Sequence, residues 1–222
     1  MARVRDHQRA LELRKEGKSY NQIKKVLGIS KSTLSYWLAD HPLSKERIRE
    51  LRDWNEQRIE RYRETRRRTR EARFEEVYQV QKKEILGLSR RDLLIGGLFL
   101  YWGEGTKARI GSLAMTNTDP AVARFFVYWL KTIFGIAKGS LKIKVHLYSD
   151  MDIKKELKFW SQELDIPTTQ FLKPYIKATK KADISYRGGF GHGTCSVELN
   201  NSRLAEKVIL GVKVIRDYFG VI

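Results

Sequence analysis

The 222-residue sequence contains a single cysteine, Cys195, only four prolines and only four histidines. One cysteine permits no internal disulfide, and His7, His41, His146 and His192 are too scattered to give a zinc-ligand spacing. Long apolar runs are missing too. The longest, Leu93 to Trp102, is about half of the roughly 18 residues a membrane-crossing helix needs, and it holds two glycines. A chain that does not cross a membrane is therefore expected. Met1 to Asp6 is charged and leads into no apolar signal core, which predicts a cytoplasmic protein, nucleoid-associated in a prokaryote. Acidic residues are scarce against basic ones, 26 Asp and Glu to 44 Lys and Arg, a formal charge of +18. Such a surplus suits nucleic acid or an anionic membrane surface. The 41% hydrophobic and 11% aromatic content is enough to build a packed core and excludes global disorder.

The charge is spread along the chain. Residues 1–43 carry a net +5, residues 44–84 a net +4 and residues 85–222 a net +9. A basic tail attached to a neutral enzyme is thereby excluded. Residues 44–84 hold no Pro or Gly and are dense in Arg and Glu, so one long helix or two is predicted, with Ser44 as N-cap after Pro42. A heptad counted from Ile48 places apolar residues only at Ile48, Leu51, Tyr62 and Ala72, which excludes a coiled coil in that register. Pairs such as Arg52/Glu56 and Glu64/Arg68 support a solvated helix. It serves either as a charged linker or as a helix lying along phosphates through Arg66, Arg67, Arg68 and Arg70.

Residues 1–43 read as three short helices, His7 to Lys15, Ser19 to Val26 and Lys31 to Ala39, punctuated by Gly17 and Gly28, with Ser30 as the last N-cap. Ala10, Leu11, Leu13, Ile23, Leu27, Leu34, Trp37 and Leu38 are the predicted core. Lys31, Ser32, Thr33, Ser35 and Tyr36 are left outward on the third helix, and small, hydroxylic and basic groups are what a helix entering a major groove requires. Through Gly17, Ile23, Leu27-Gly28-Ile29-Ser30, Thr33 and Trp37-Leu38 the stretch resembles the helix-turn-helix of resolvases and many repressors. Nothing in the chain resembles a recombinase catalytic domain.

From Ser89 the pattern is that of an α/β domain, so the expected fold class is α+β. Ser89 and Asp92 stand as N-cap and N3 of a helix that ends at Glu104. A carboxylate at a helix C-terminus faces the negative end of the dipole, so something else should hold it. Gly96 and Gly103 share one face of that helix and would let another helix cross closely. A strand over residues 109–116, a helix from Asp119-Pro120 to Phe134, and a strand alternating Leu141, Ile143, Val145 and Leu147 with Lys142, Lys144, His146 and Tyr148 follow. Phe171 to Ala178 is expected to present Phe171, Lys173, Tyr175 and Lys177 together, with Pro174 marking an edge or bulge. An additional helix is read from Met151 to Leu164. A last strand spans Thr194 to Leu199, and a final helix, capped by Asn201 or Ser202, packs Leu204, Val208, Ile209, Val212 and Ile215 inward. Two lysine-bearing strand faces in one antiparallel or mixed sheet would make a surface able to lie in a DNA groove. A Lys- and Gly-rich loop runs from Thr179 to Thr194, but its RGGFGHG stretch opens no helix after a strand, so no organic cofactor is expected.

The segment Gly97 to Gly105, GLFLYWGEG, resembles the LAGLIDADG family of homing endonucleases and their non-cutting relatives. Glu104 stands at the motif's metal-binding acid, Gly103 and Gly105 at its small flanking positions, and Phe99 where the family has a small residue. The resemblance implies a LAGLIDADG-like domain over residues 85–222. With one copy of the motif, it also implies a homodimer in which two Glu104 side chains bind Mg2+ over the scissile phosphates. Lys107 is the nearest basic candidate for stabilising charge there. Two functions remain open: a metal-dependent, site-specific double-stranded DNA endonuclease, or a transcriptional regulator built from the same domains that does not cut.

Overall fold

The computed structural model describes residues 2–51, 54–107, 111–181 and 191–220. The chain is α+β and divides into two compact units, Met1–Leu86 and Gly87–Ile222. Among the described residues no helix is long and apolar enough to cross a membrane.

The first unit contains α1 (Ala2–Lys15), α2 (Tyr20–Leu27), α3 (Lys31–Trp37), α4 (Lys45–Glu50) and α5 (Trp54–Ile85). Helix α1 starts at Ala2 rather than His7, because the charged residues before His7 include no helix breaker. Gly17, at φ +80°, ends it. A capping box starts α2: Ser19 Oγ accepts from Gln22 N at 3.3 Å while Gln22 Oε1 accepts from Ser19 N at 2.9 Å. Gly28, at φ +67°, closes α2, and Ser30 Oγ accepts from Thr33 N at 3.2 Å to open α3. Helix α3 stops at Trp37, short of the expected Ala39. Ala10, Leu13, Tyr20, Ile23, Leu34 and Leu38 form the core, flanked by Leu11, Leu27, Ile29 and Trp37.

The basic segment after Ser44 forms two helices, broken after Leu51, and its beginning is docked on the three-helix body. Arg47 Nε donates to Gly17 O at 2.9 Å. The Arg14 side chain is 2% exposed and that of Glu60 is 5% exposed, and they join through two hydrogen bonds of 3.2 and 2.9 Å. Arg14 Nε and Nη1 also donate to the carbonyls of His41 and Lys18 at 2.8 and 3.1 Å. The rest of α5 is largely exposed, and Glu64 pairs there with Arg68 at 2.8 Å. Arg52 of the other expected pair lies outside the described residues.

The second unit runs α6 (Arg90–Glu104), β1 (Ser112–Asn117), α7 (Pro120–Phe134), β2 (Lys142–Tyr148), α8 (Ile153–Leu164), β3 (Tyr175–Lys177), β4 (Thr194–Asn200) and α9 (Ser202–Phe219). The sheet is mixed, in the order β1-β4-β2-β3, with β4 antiparallel to β1 and β2 and β3 parallel to β2. Its inner face supplies Leu113, Met115, Ile143, Val145, Leu147, Cys195, Val197 and Leu199 to a core completed by Leu98, Tyr101, Phe126, Trp129, Leu130, Trp160 and Val208 from the helices. Asp119, Asp152 and Asn201 cap α7, α8 and α9 through their side chains. Of α9's expected inward residues, Leu204 and Val208 are buried and Ile209, Val212 and Ile215 half-buried.

Two strand expectations are corrected. β1 begins at Ser112, and residues 109 and 110 of the expected strand lie outside the described residues. The expected strand over 171–178 shrinks to three residues. Phe171 makes only an isolated bridge to Ile143 and packs into the core, because Leu172 N donates to Ile143 O at 2.7 Å and Pro174 has no N–H to continue the ladder. Phe171 is therefore not part of the lysine-bearing face, and Lys173 is exposed just ahead of β3.

Candidate functional site

Helix α6 is fixed by glycines at positions other than those the sequence suggests. A Cβ on Gly97 would lie 2.0 Å from Trp129 Nε1, so α7 crosses α6 at Gly97. On α9, a Cβ on Gly211 would meet Leu98 at 3.1 Å. Among the described residues nothing lies within 4 Å of a Cβ added at Gly96 or Gly103, so no described helix crosses there. That face of α6 also carries Phe99, which is 45% exposed.

At the end of α6, Glu104 is exposed and accepts from Asn117 Nδ2 at 3.3 Å. Gly105 continues in extended conformation and bridges Met115, which turns the chain from the helix into the sheet. Among the described residues no cation lies within ion-pair distance of Glu104. Lys107 is exposed and does not pair with it. No group of three or more His, Cys, Asp or Glu able to hold a metal ion occurs among the described residues. Glu104 is the acid that stands at the end of α6.

The outer face of the sheet is polar and mainly basic. Residues in register project to the same side, which sets Lys142 opposite Glu198, Lys144 opposite Ser196 and His146 opposite Thr194. Beyond β4, Thr116 stands opposite Ser196 and Ser112 opposite Asn200, with Thr116 Oγ1 donating to Ser196 Oγ at 3.0 Å. On the other edge His146 is beside Tyr175, ring centroids 5.6 Å apart, and Lys177 Nζ sits 4.8 Å from the Tyr148 ring centroid. Tyr148 is only 5% exposed, so it supports Lys177 instead of presenting its own ring as expected. Partial burial, with Lys144 and Lys177 nearby, pushes the His146 pKa below its ordinary value against the pull of Glu198. The neutral imidazole is thereby favoured.

Sequence reasoning placed Lys142, Lys144, His146, Tyr175 and Lys177 on this face but missed the residues of β4. Polar Thr194, Ser196, Glu198 and Asn200 alternate with apolar Cys195, Val197 and Leu199, so the period-two test that identified β2 also finds them, although Ser196 is itself buried.

In the first unit Ser32 and Tyr36 of α3 are exposed, while Lys31, Thr33 and Ser35 are half-buried. The hydroxyls of Ser32 and Thr33 lie 2.9 and 2.8 Å from Ser30 Oγ, so the cap of α3 engages both of them. Compared with known proteins, the chain matches no family model, no curated protein and no solved structure.

Proposed function

We propose that this chain is a site-specific double-stranded DNA-binding protein that acts as a homodimer, with a helix-turn-helix in its first unit and a LAGLIDADG-like domain in its second. The observation that carries this is the outer sheet face: Lys142, Lys144 and Lys177 set among the hydroxyls of Thr116 and Thr194, with His146, Tyr175 and Asn200, and with Glu198 as the one acid among its described residues; Ser196, 4% exposed, braces Thr116 and does not itself face solvent. Lysines hold phosphates, while hydroxyl, amide and imidazole groups read base edges. The exposed Ser32 and Tyr36 of α3 support a second contact in a major groove.

Cleavage is the chemistry that Glu104 favours. A carboxylate at a helix C-terminus, held by one neutral amide in a strongly basic chain, suits a hard divalent cation. In the homodimer the second carboxylate would be the Glu104 of the other copy, and the face of α6 at Gly96 and Gly103, open among the described residues, is where a second α6 would cross. Mg2+ held by the two carboxylates would polarise a scissile phosphate and lower the pKa of a bound water. Glu104 itself supplies the oxygen ligands, and Asn117 holds the side chain in place.

The test is Mg2+-dependent cleavage of a randomised duplex library by wild type and Glu104→Gln. Cleavage by wild type alone supports the endonuclease. Specific binding without cleavage by either protein leaves a transcriptional regulator built on the same parts. Absence of specific duplex binding rejects both.

A further inference from the structure

The arginines of α5 fall into two classes. Arg67 pairs with Glu64 at 3.1 Å and Glu71 at 2.8 Å, and Arg68 pairs with Glu64 at 2.8 Å, so their charges are compensated within the helix. Arg63, Arg66, Arg70 and Arg73 have no carboxylate within ion-pair distance among the described residues. Aromatic rings support them instead. The Arg63 guanidinium lies 3.7 Å from the Tyr20 ring centroid, Arg66 lies 5.8 Å from Tyr62, and Arg70 and Arg73 lie 5.9 and 5.6 Å from Phe74. A ring orients a guanidinium and leaves its charge and N–H donors for another partner.

These four arginines occur at i, i+3, i+7 and i+10, which puts them on one face of α5 along about 15 Å of its length. That face opens on a cleft of about 680 Å³ whose opposite wall includes Ser35 of α3 and Ala39 just beyond it. Arg63 Nη1 is buried at the cleft and has no hydrogen-bond partner among the described residues. A buried guanidinium nitrogen without an acceptor is costly, and an anion supplied from outside would satisfy it.

We infer that this stripe is a phosphate-backbone track: Arg63, Arg66, Arg70 and Arg73 clamp one strand of the duplex beside the groove that α3 enters. The inference rests on the DNA-binding reading and extends it to a segment that a spacer helix would leave idle. Four uncompensated cations in a line match a polyanion with regularly spaced charges. A strand winds about the duplex axis as it rises roughly 3.4 Å per phosphate, so a straight 15 Å of helix meets a few of them rather than one for every 3.4 Å.

Two double substitutions that change net charge equally separate this role from general electrostatics. Binding of the full chain to its duplex is measured over a series of salt concentrations for Arg66→Gln/Arg70→Gln and for Arg67→Gln/Arg68→Gln. The first pair is expected to flatten the slope of log K against log salt by about 1.8, because each phosphate contact contributes about 0.9, with the same loss on specific and unrelated sequences. The second pair, already neutralised in the helix, is expected to leave the slope nearly unchanged. Arg66→Lys/Arg70→Lys keeps the charge and is expected to retain the wild-type slope, which guards against a folding defect in the Gln variant. Equal slopes for the two Gln variants, with wild type binding duplex normally, overturn the track and leave the DNA-binding reading standing. Failure of the wild type to bind any duplex overturns both. A larger slope change on single-stranded RNA than on duplex DNA assigns the stripe to a different partner and refutes the track as stated.

Discussion

Three glycines occur in α6, and the structure assigns opposite consequences to adding one methyl group at two adjacent positions. At Gly97 the new Cβ would fall 2.0 Å from Trp129 Nε1 and 2.1 Å from Cε2. Trp129 cannot swing aside, since it is 1% exposed and held between Phe126 and Phe134, with ring centroids 6.0 and 4.9 Å away. Helices α6 and α7 must separate instead, and overpacking of this kind costs roughly 1–3 kcal/mol or more. The intrinsic preference of a helix for Ala over Gly returns roughly 1 kcal/mol. A 2.0 Å approach to an immobile ring puts the cost at the top of that range, so a net loss of about 2 kcal/mol is expected at Gly97→Ala. At Gly96→Ala nothing lies within 4 Å, so only the propensity gain remains and stability should rise by about 1 kcal/mol. Urea unfolding followed by tryptophan fluorescence reads both effects. With m near 2 kcal/mol/M the midpoints should move about 1 M down and about 0.5 M up. A Gly97→Ala midpoint at or above that of wild type would refute the assignment of the α6–α7 crossing to Gly97. The larger Gly96→Leu, read beside an unfolding midpoint that checks the fold, should weaken self-association in sedimentation if a second α6 crosses there, and unchanged self-association counts against the proposed homodimer.

Glu60→Gln leaves the Arg14 charge buried without its counter-ion and should destabilise the first unit by about 3–5 kcal/mol, whereas Arg68→Gln, removing an exposed pair, should cost under about 1 kcal/mol; comparable losses in thermal unfolding contradict the distinction. Cys195 is buried and its thiol pKa is pushed up to about 12, so it should resist a thiol reagent in the native protein and react on unfolding. The neutral thiol is favoured by the fold, so its contribution is complete below pH 9 and falls as pH rises from about 9 towards about 12; rapid labelling of the native chain at pH 8 contradicts this. His146 should titrate by NMR below the usual 6.5, and its depressed pKa means that stability drawn from it is present above pH 6.5 and lost as pH falls. Bound duplex phosphate should raise that midpoint, and a downward shift argues against phosphate near the ring.

Local signals in the sequence were dependable where one residue's chemistry decides the conformation. Ser30, Ser44, Ser89 and Asp119 are N-caps as read, because a side-chain oxygen meets a backbone N–H two or three residues ahead whatever the rest of the chain does. Strand β2 was legible because its alternation has period two, and α8 because its apolar residues recur at helical spacing. Phe171 was misplaced because alternation was extended through Pro174, where the ladder ends, and Tyr148 because an outward position does not guarantee exposure. Nothing local marks Arg14 as buried, since its partners, Lys18 apart, are far along the chain.

The sequence by itself determined the charge, the caps, the helix and strand periods and the presence of Glu104 at a helix end, all of which depend on identity and spacing within a few residues. Tertiary structure decided which glycine meets a neighbouring helix, which arginines are neutralised and which stay available, and which polar residues share one sheet face. Those outcomes depend on pairs such as Gly97 with Trp129, Arg14 with Glu60 and Lys144 with Ser196, whose distance along the chain carries no information about their distance in space.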